Sequence, residues 1–411
     1  MLIDSAGYGG KCTCGRCHEM QTKLAVAEAG CMEKFDAYLE KYQLTGFRTI
    51  IYDQNTYHAA GLTRPRADQE IILDPENLHA NEKSVAKVMA QLSDKTRVLI
   101  AVGSGTVHDV TRYCAWEKGL PFVSCPTAAS VDGFCSSVAA MTWEGVKRTL
   151  TAVPPVLVLV DLHVITKAPL FLARSGFGDM IGKFIALADW KISHILTGEF
   201  YCERIAEMTE KATQAVLESA EGIASGDPSA FEKLTYGLLL SGLAMQLMGN
   251  SRPASGAEHH ISHIIEMEPE NLEIHSDALH GEKVGVGTLI AAAEYHRLAR
   301  VSGWKDYPTI TEEEIHAVFG NRLSRQIAAE NKTDAAAGVT GDCIRAHWEE
   351  IQAQIAKIPD AEELARLYQR LGVMNSLSDL GIPEKKRAVL LDTSPMVRNR
   401  LTLMRLRRCL K

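Results

Sequence analysis

The stretch TRVLIAVGSGTVHDVTRY, Thr96 to Tyr113, changes its period part-way along. Thr96 to Gly103 is a nearly unbroken apolar run, the pattern of a strand buried on both faces. A helical segment follows. Gly103 and Gly105 at the junction leave room for backbone to approach a phosphate, and the helix N-terminus behind them supplies unpaired amides and partial positive charge. This is not the GxGxxG of an ordinary dinucleotide fold, because Val107 and His108 stand in place of its third glycine. Anion binding is the natural use, and a plain strand-to-helix turn is the alternative.

The same alternation extends on both sides. FRTIIYD (47–53), LPFVSCPT (120–127) and PVLVLVD (155–161) read as buried strands, and NEKSVAKVMAQLSD between two of them has helical periodicity. Strands alternating with helices imply a mostly parallel sheet covered on both faces. After Pro169 the β-branched runs stop, and Ala, Leu, Glu and Met carry consecutive helix-length segments. The expected organisation is an α/β nucleotide-binding domain over residues 1–165 and an all-α domain over 166–411. Ligand is expected in the cleft between them.

Composition narrows the function classes. A chain of 411 residues with 44 basic and 51 acidic side chains has a formal charge of −7 and no long block of one sign, which argues against a general nucleic-acid binder. No apolar run is long enough to span a bilayer and no signal segment opens the chain, so a cytoplasmic protein is expected. The basic C-terminus, RLTLMRLRRCLK, fits a packed amphipathic helix better than a polyanion-binding arm. Ten dispersed cysteines read as reduced thiols. Cys12, Cys14, Cys17 and His18 in KCTCGRCHEM offer soft metal ligands, but no second CxxC closes a tetrahedron, and a structural reading is favoured over a zinc site.

Histidines cluster strongly. Five of the 14 fall between His259 and His280, where about 0.7 would be expected from composition. In SGAEHHISHII, His259 and His263 share one helix face. His280 opens the glycine-rich segment HGEKVGVG, and Asp179 lies in GFGDMIGK. One carboxylate with two imidazoles suits Zn²⁺, Fe²⁺ or Ni²⁺ and leaves a position for substrate. For each residue alone, core packing or helix capping is the competing reading. Past another strand end, PTAASVDGFCSS presents Thr127, Ser130, Ser136 and Asp132, either for a nucleotide or as a capped connection. Asp53 closes a third strand, as a ribose acceptor or an N-cap.

Taken in order, VGSGTVHD, TAASVDG, GFGDMIGK, SGAEHHISH and HGEKVGVG resemble the bacterial-type glycerol-1-phosphate dehydrogenases, within the superfamily of iron-dependent alcohol dehydrogenases, glycerol dehydrogenases and dehydroquinate synthases. The resemblance runs from about Asp53 to the C-terminus. It implies a dehydroquinate synthase-like fold and reduction of dihydroxyacetone phosphate to sn-glycerol 1-phosphate with NADH or NADPH. One divalent metal (Zn, Ni or Fe), a small phosphorylated three-carbon substrate and a homodimer are implied as well. By motif match, Asp179, His259 and His280 fall on metal ligands, and His263 and Asp132 on substrate contacts. Asp53, Gly103, Gly105, Thr106, Val107, His108, Asp109, Thr127, Ala128, Ala129, Ser130 and Ser136 fall on cofactor positions. The extra Cys17 departs from the family pattern, and His260 receives no role. Lys183, Arg252 and Lys283 neighbour the motifs and are candidates for the substrate phosphate, with solvated surface positions as the alternative. Two other readings stay open: a glycerol or polyol dehydrogenase on the same scaffold, and a catalytically silent nucleotide-binding regulator.

Overall fold

The computed structural model describes residues 1–144 and 146–411. The chain divides into two compact units, Met1–Met180 with Gln214–Asn250, and Ile181–Thr213 with Ser251–Lys411. Two of the three crossings fall inside helices, Leu170–Ile181 and Glu203–Glu218.

The first unit is built on a seven-stranded sheet. In chain order its strands are β1 (Leu2–Asp4), β2 (Leu24–Glu28), β3 (Phe47–Asp53), β4 (Gln69–Leu73), β5 (Thr96–Gly103), β6 (Phe122–Pro126) and β7 (Leu157–Asp161). Across the sheet they lie β1-β2-β7-β6-β5-β3-β4, and every pairing is parallel except β1 with β2. The two longest strands coincide with the runs read from sequence. Leu24–Glu28 was not anticipated, because its alanine-rich LAVAE lacks a strand signature; neither was QEIIL of β4, too short to show a period.

Successive strand residues point to opposite faces, so each apolar run feeds two cores. Ile50, Tyr52, Val98, Ile100, Val102, Leu157 and Leu159 pack on one side with Phe35 and Leu39. Ile51, Leu99, Ala101 and Phe122 pack on the other, with Val107, Val110 and Cys114 of helix α1 (Gly105–Lys118). An antiparallel hairpin, Val138–Trp143 with Val146–Thr151, adds Ala139 and Met141 to that second core. Chain order reverses between β3 and β5, so the carboxyl ends bearing Asp53 and Gly103 flank a topological switch point. Ligands in open α/β sheets bind at such a place.

The second unit is helical, as expected after Pro169. It includes α3 (Lys183–Thr197), α5 (Ala257–Met267) and α6 (His280–Leu298). Helices α2 (Leu170–Ile181) and α4 (Pro228–Met248) precede them or intervene in the chain. Asp189 of α3 is wholly buried and joins three segments: it accepts from Ala257 N at 2.8 Å, Tyr295 Oη at 2.7 Å and Leu403 N at 2.8 Å. Burial pushes its carboxyl up to about 7 against the lowering effect of those donors. Asp189→Ala would orphan all three donors and should cost about 3–5 kcal/mol, read as a fall in the urea midpoint.

The C-terminal segment is packed, as expected, but it forms only a short helix, Leu403–Leu406, followed by a 3₁₀ turn. Its arginines are committed within the fold. Arg405 is fully buried and donates to Asp334, Asn331, Tyr307 and two carbonyls, while Arg407 pairs with Glu294 and Asp392 and Arg408 with Glu314.

Candidate metal and cofactor site

The glycine turn after β5 and the loop after β6 are held side by side, because Thr127 N donates to Gly103 O at 3.0 Å. A methyl group on Gly103 would meet Val107 Cβ at 2.8 Å, so the tight turn needs glycine for packing as well as for ligand approach. Ser104 is the extended N-cap residue of α1, and the amides of the first turn behind it have no partner within the helix. That is the geometry of a helix N-terminus able to receive an anion. One side chain is corrected: His108 turns into the core, 1% exposed, with Nδ1 on Ser104 O at 2.8 Å and its ring edge-on to Phe134. Burial pushes its pKa down to about 3, so it is a neutral packing residue. Val107 is likewise fully buried, so only their backbones can serve a ligand.

Other cofactor candidates divide similarly. Asp53 caps the short helix Gln54–Tyr57, its Oδ1 accepting from Thr56 N at 2.7 Å in a capping box. The N-cap reading therefore holds for that oxygen. The Ser136 hydroxyl is engaged with Val138 N and O, both at 3.1 Å, which is the capped-connection reading rather than a free donor. Asp109 lies beside Arg112, and Thr127, Ala128, Ala129 and Ser130 are buried in the loop after β6.

That loop lies along one face of α2. Ser175 Oγ donates to Ser130 O at 3.3 Å, Gly176 faces Ala129 O, and Asp132 N donates to Asp179 Oδ2 at 3.0 Å. Residues 175, 176 and 179 share a helix face, which explains the three-point contact. Asp132 is held in turn by Ser241 Oγ of α4, which donates to its Oδ2 at 2.8 Å.

Asp179, His259 and His280 present ligand atoms all within 4.8 Å of one another. His259 lies in the first turn of α5 and His280 opens α6, two helices packed closely together. Each imidazole is backed by a carboxylate: His259 Nδ1 meets Glu258 Oε1 at 2.7 Å, and His280 Nδ1 meets Glu266 Oε1 at 2.7 Å. A neutral ring that donates Nδ1–H to a carboxylate has its Nε2 lone pair directed outward, the orientation a cation requires. The donor set therefore fits a divalent ion. His263 completes the cluster, its ring centroid 5.8 Å from that of His259 and 6.0 Å from that of His280. Burial lowers its pKa well below the usual value, and Arg398 lowers it further.

Two histidines of the dense window do not join. His260 is wholly buried on another side of α5, and burial keeps it neutral. His275 is exposed and pairs with Glu268 and Asp277. The phosphate candidates are not surface residues either: Lys183, Arg252 and Lys283 are all buried. Arg252 is committed to Glu199, Ser193 and Leu401 O. Sequence reasoning missed Glu258, Glu266 and Arg398. Glu258 immediately precedes the candidate ligand His259 and was available as a signal; the pairing of Glu266 with His280 spans a loop and had none.

Over 405 residues the chain is 32% identical to a glycerol-1-phosphate dehydrogenase [NAD(P)+] of Bacillus licheniformis, covering 96% of this chain and 90% of that protein. The chain belongs to the glycerol-1-phosphate dehydrogenase family. A second relative of that name, from Halalkalibacterium halodurans, is 32% identical over 98% of this chain and 97% of its own length. Residues 26–169 match the family model for iron-containing alcohol dehydrogenase. The fold is shared with the crystal structure of a "probable glycerol dehydrogenase" from Sinorhizobium meliloti 1021, with TM-score 0.61 and 19% identity over 93% of this chain and 94% of that one. Membership of this dehydrogenase family fits both parts of the site, an anion-binding turn for a nicotinamide nucleotide and a ligand set for a divalent metal. No helix among the described residues is long and apolar enough to cross a membrane.

Proposed function

We propose that the protein is a metal-dependent oxidoreductase that reduces dihydroxyacetone phosphate to sn-glycerol 1-phosphate with NADH or NADPH. The observation that carries this reading is the Asp179, His259 and His280 cluster with its carboxylate-backed imidazoles. When bound, the nicotinamide supplies hydride and the divalent ion supplies Lewis acidity toward the C2 oxygen. The chain's own residues do the rest. The turn Gly103–Asp109 and the loop Thr127–Ser130 hold the cofactor phosphates and nicotinamide, and the remaining oxygen of Asp53 takes the ribose. His263 hydrogen-bonds the substrate oxygen and moves its proton, while Asp132 holds a substrate hydroxyl and braces Asp179 through its backbone amide. In this reading residues 1–165 serve the cofactor, with Asp132 reaching the substrate, 166–411 serve the metal and substrate, and the working form is a homodimer.

The substrate phosphate needs a cation. Arg398 is proposed for it, because its charge already bears on His263. Arg398→Ala is expected to raise KM for dihydroxyacetone phosphate about 10- to 100-fold, the cost of one charge-assisted contact, with a smaller effect on kcat. Steady-state kinetics check it.

The test of the whole reading is NADH and NADPH oxidation by metal-reconstituted protein, with dihydroxyacetone phosphate against dihydroxyacetone. Preference for the phosphorylated ketone supports it. Preference for dihydroxyacetone would make the protein a polyol dehydrogenase, and no oxidation of either would leave a nucleotide-binding regulator.

A further inference from the structure

The N-terminal hairpin carries a second set of metal ligands. Gly10–Lys11 pairs antiparallel with Cys17–His18, and the turn between them is closed by Cys12 N to Arg16 O at 2.9 Å and Gly15 N to Cys12 O at 3.0 Å. Adjacent residues of a strand face opposite sides. Cys17 is accordingly exposed while His18 is buried, which removes the extra cysteine from the set. Cys14 Sγ lies 3.2 Å from His18 Nε2. His18 Nδ1 meets Leu247 O at 2.8 Å, which fixes Nδ1 as the protonated nitrogen and leaves the Nε2 lone pair facing the thiols.

The remote partner that the sequence could not supply is Cys202. It is fully buried and immediately precedes helix Glu203–Glu218. Ligand atoms of Cys12, Cys14, His18 and Cys202 all lie within 4.8 Å of one another. A tetrahedral zinc with Zn–S of about 2.3 Å and Zn–N of about 2.0 Å requires ligand-to-ligand edges of roughly 3.6–3.8 Å, a small adjustment from this arrangement. Three thiolates and one imidazole form a closed, structural donor set, their softness disfavours magnesium or calcium, and the general affinity order places zinc above iron(II).

We propose that Cys12, Cys14, His18 and Cys202 bind a structural zinc ion, separate from the ion at Asp179, His259 and His280. The site leaves no coordination position for substrate. Its role is structural, with three ligands from the N-terminal hairpin and the fourth from Cys202. The thiols must lose their protons on binding, so acquisition of zinc releases protons and weakens in acid.

The inference is independent of the dehydrogenase reading and is tested without activity. Full-length His259→Ala protein should retain about one equivalent of zinc by elemental analysis. Its cobalt-substituted form should show thiolate-to-metal charge transfer and the intense visible bands of a tetrahedral centre. Adding Cys14→Ser or Cys202→Ser should abolish both signals, Cys17→Ser should leave both, and Cys202→His, which keeps a zinc ligand, should retain zinc with weakened charge transfer. Should the serine variants fail to fold, mercurial titration of the thiols in His259→Ala protein should release that equivalent of zinc. Absence of thiolate-bound metal in His259→Ala protein, or equal zinc retention in the Cys14→Ser and Cys202→Ser forms, would overturn the proposal.

Discussion

His259→Ala protein should fold, lose the divalent ion of its Asp179–His259–His280 site and turn over at least about 10³-fold more slowly, whereas His263→Ala should keep the ion and still lose about 10²- to 10⁴-fold in kcat. The two rings lie one helical turn apart on α5, with centroids 5.8 Å apart, so a general packing defect would affect them alike. They differ in what stands behind them. His259 is oriented by Glu258, which is itself fully buried and also accepts Gly256 N at 2.9 Å, whereas among the described residues His263 Nδ1 has no hydrogen-bond partner. Glu258→Gln should therefore give an intermediate result, a 10- to 100-fold loss of metal affinity with the ligands intact. Metal content by elemental analysis beside steady-state kinetics separates the three. Full turnover with retained metal in His259→Ala would show the ligand set to be misassigned.

The second large effect is expected at a residue that touches no ligand. A methyl group at Gly176 would penetrate the carbonyl oxygen of Ala129 and lie 3.2 Å from Leu238 Cδ1. Backbone cannot yield there as a flexible side chain can, so helix α2 and the loop Thr127–Asp132 must part. That loop carries the cofactor candidates and also donates Asp132 N to Asp179, so one substitution disturbs both halves of the site. Gly176→Ala should lose about 1–3 kcal/mol of stability by overpacking and should raise KM for the reduced nicotinamide at least about tenfold. Gly133→Ala is the control. A methyl there meets only Val131 Cγ2 at 4.0 Å, and both readouts should stay near wild type. Melting temperature and cofactor KM decide it.

The individual residues show why some of this was legible in one dimension. Val98–Gly103 declared itself because a strand segment buried on both faces is apolar at every position, and the glycines at its end because a tight turn and a close backbone approach exclude side chains. Asp179, His259 and His280 stood out through residue type and density, since few roles other than cation binding favour that set. The same density could not sort His260 and His275, neither of which received a role. Density cannot tell which side of a helix packs inward, and only the fold put one in the core and the other on the surface. Residue type failed for Arg252, a cation beside a site motif that the fold spends on Glu199.

The sequence by itself determined the alternation of strand and helix, the glycine turn ahead of a helix N-terminus and the candidate metal ligands Asp179, His259 and His280, because each depends on local sterics or on the chemistry of single residues. Only the tertiary structure decided which nitrogen each imidazole offers, through Glu258 and Glu266, and that Cys202 lies beside Cys12, Cys14 and His18. Those relations join groups far apart in the chain. They are set by packing, which leaves no periodic trace in the order of residues.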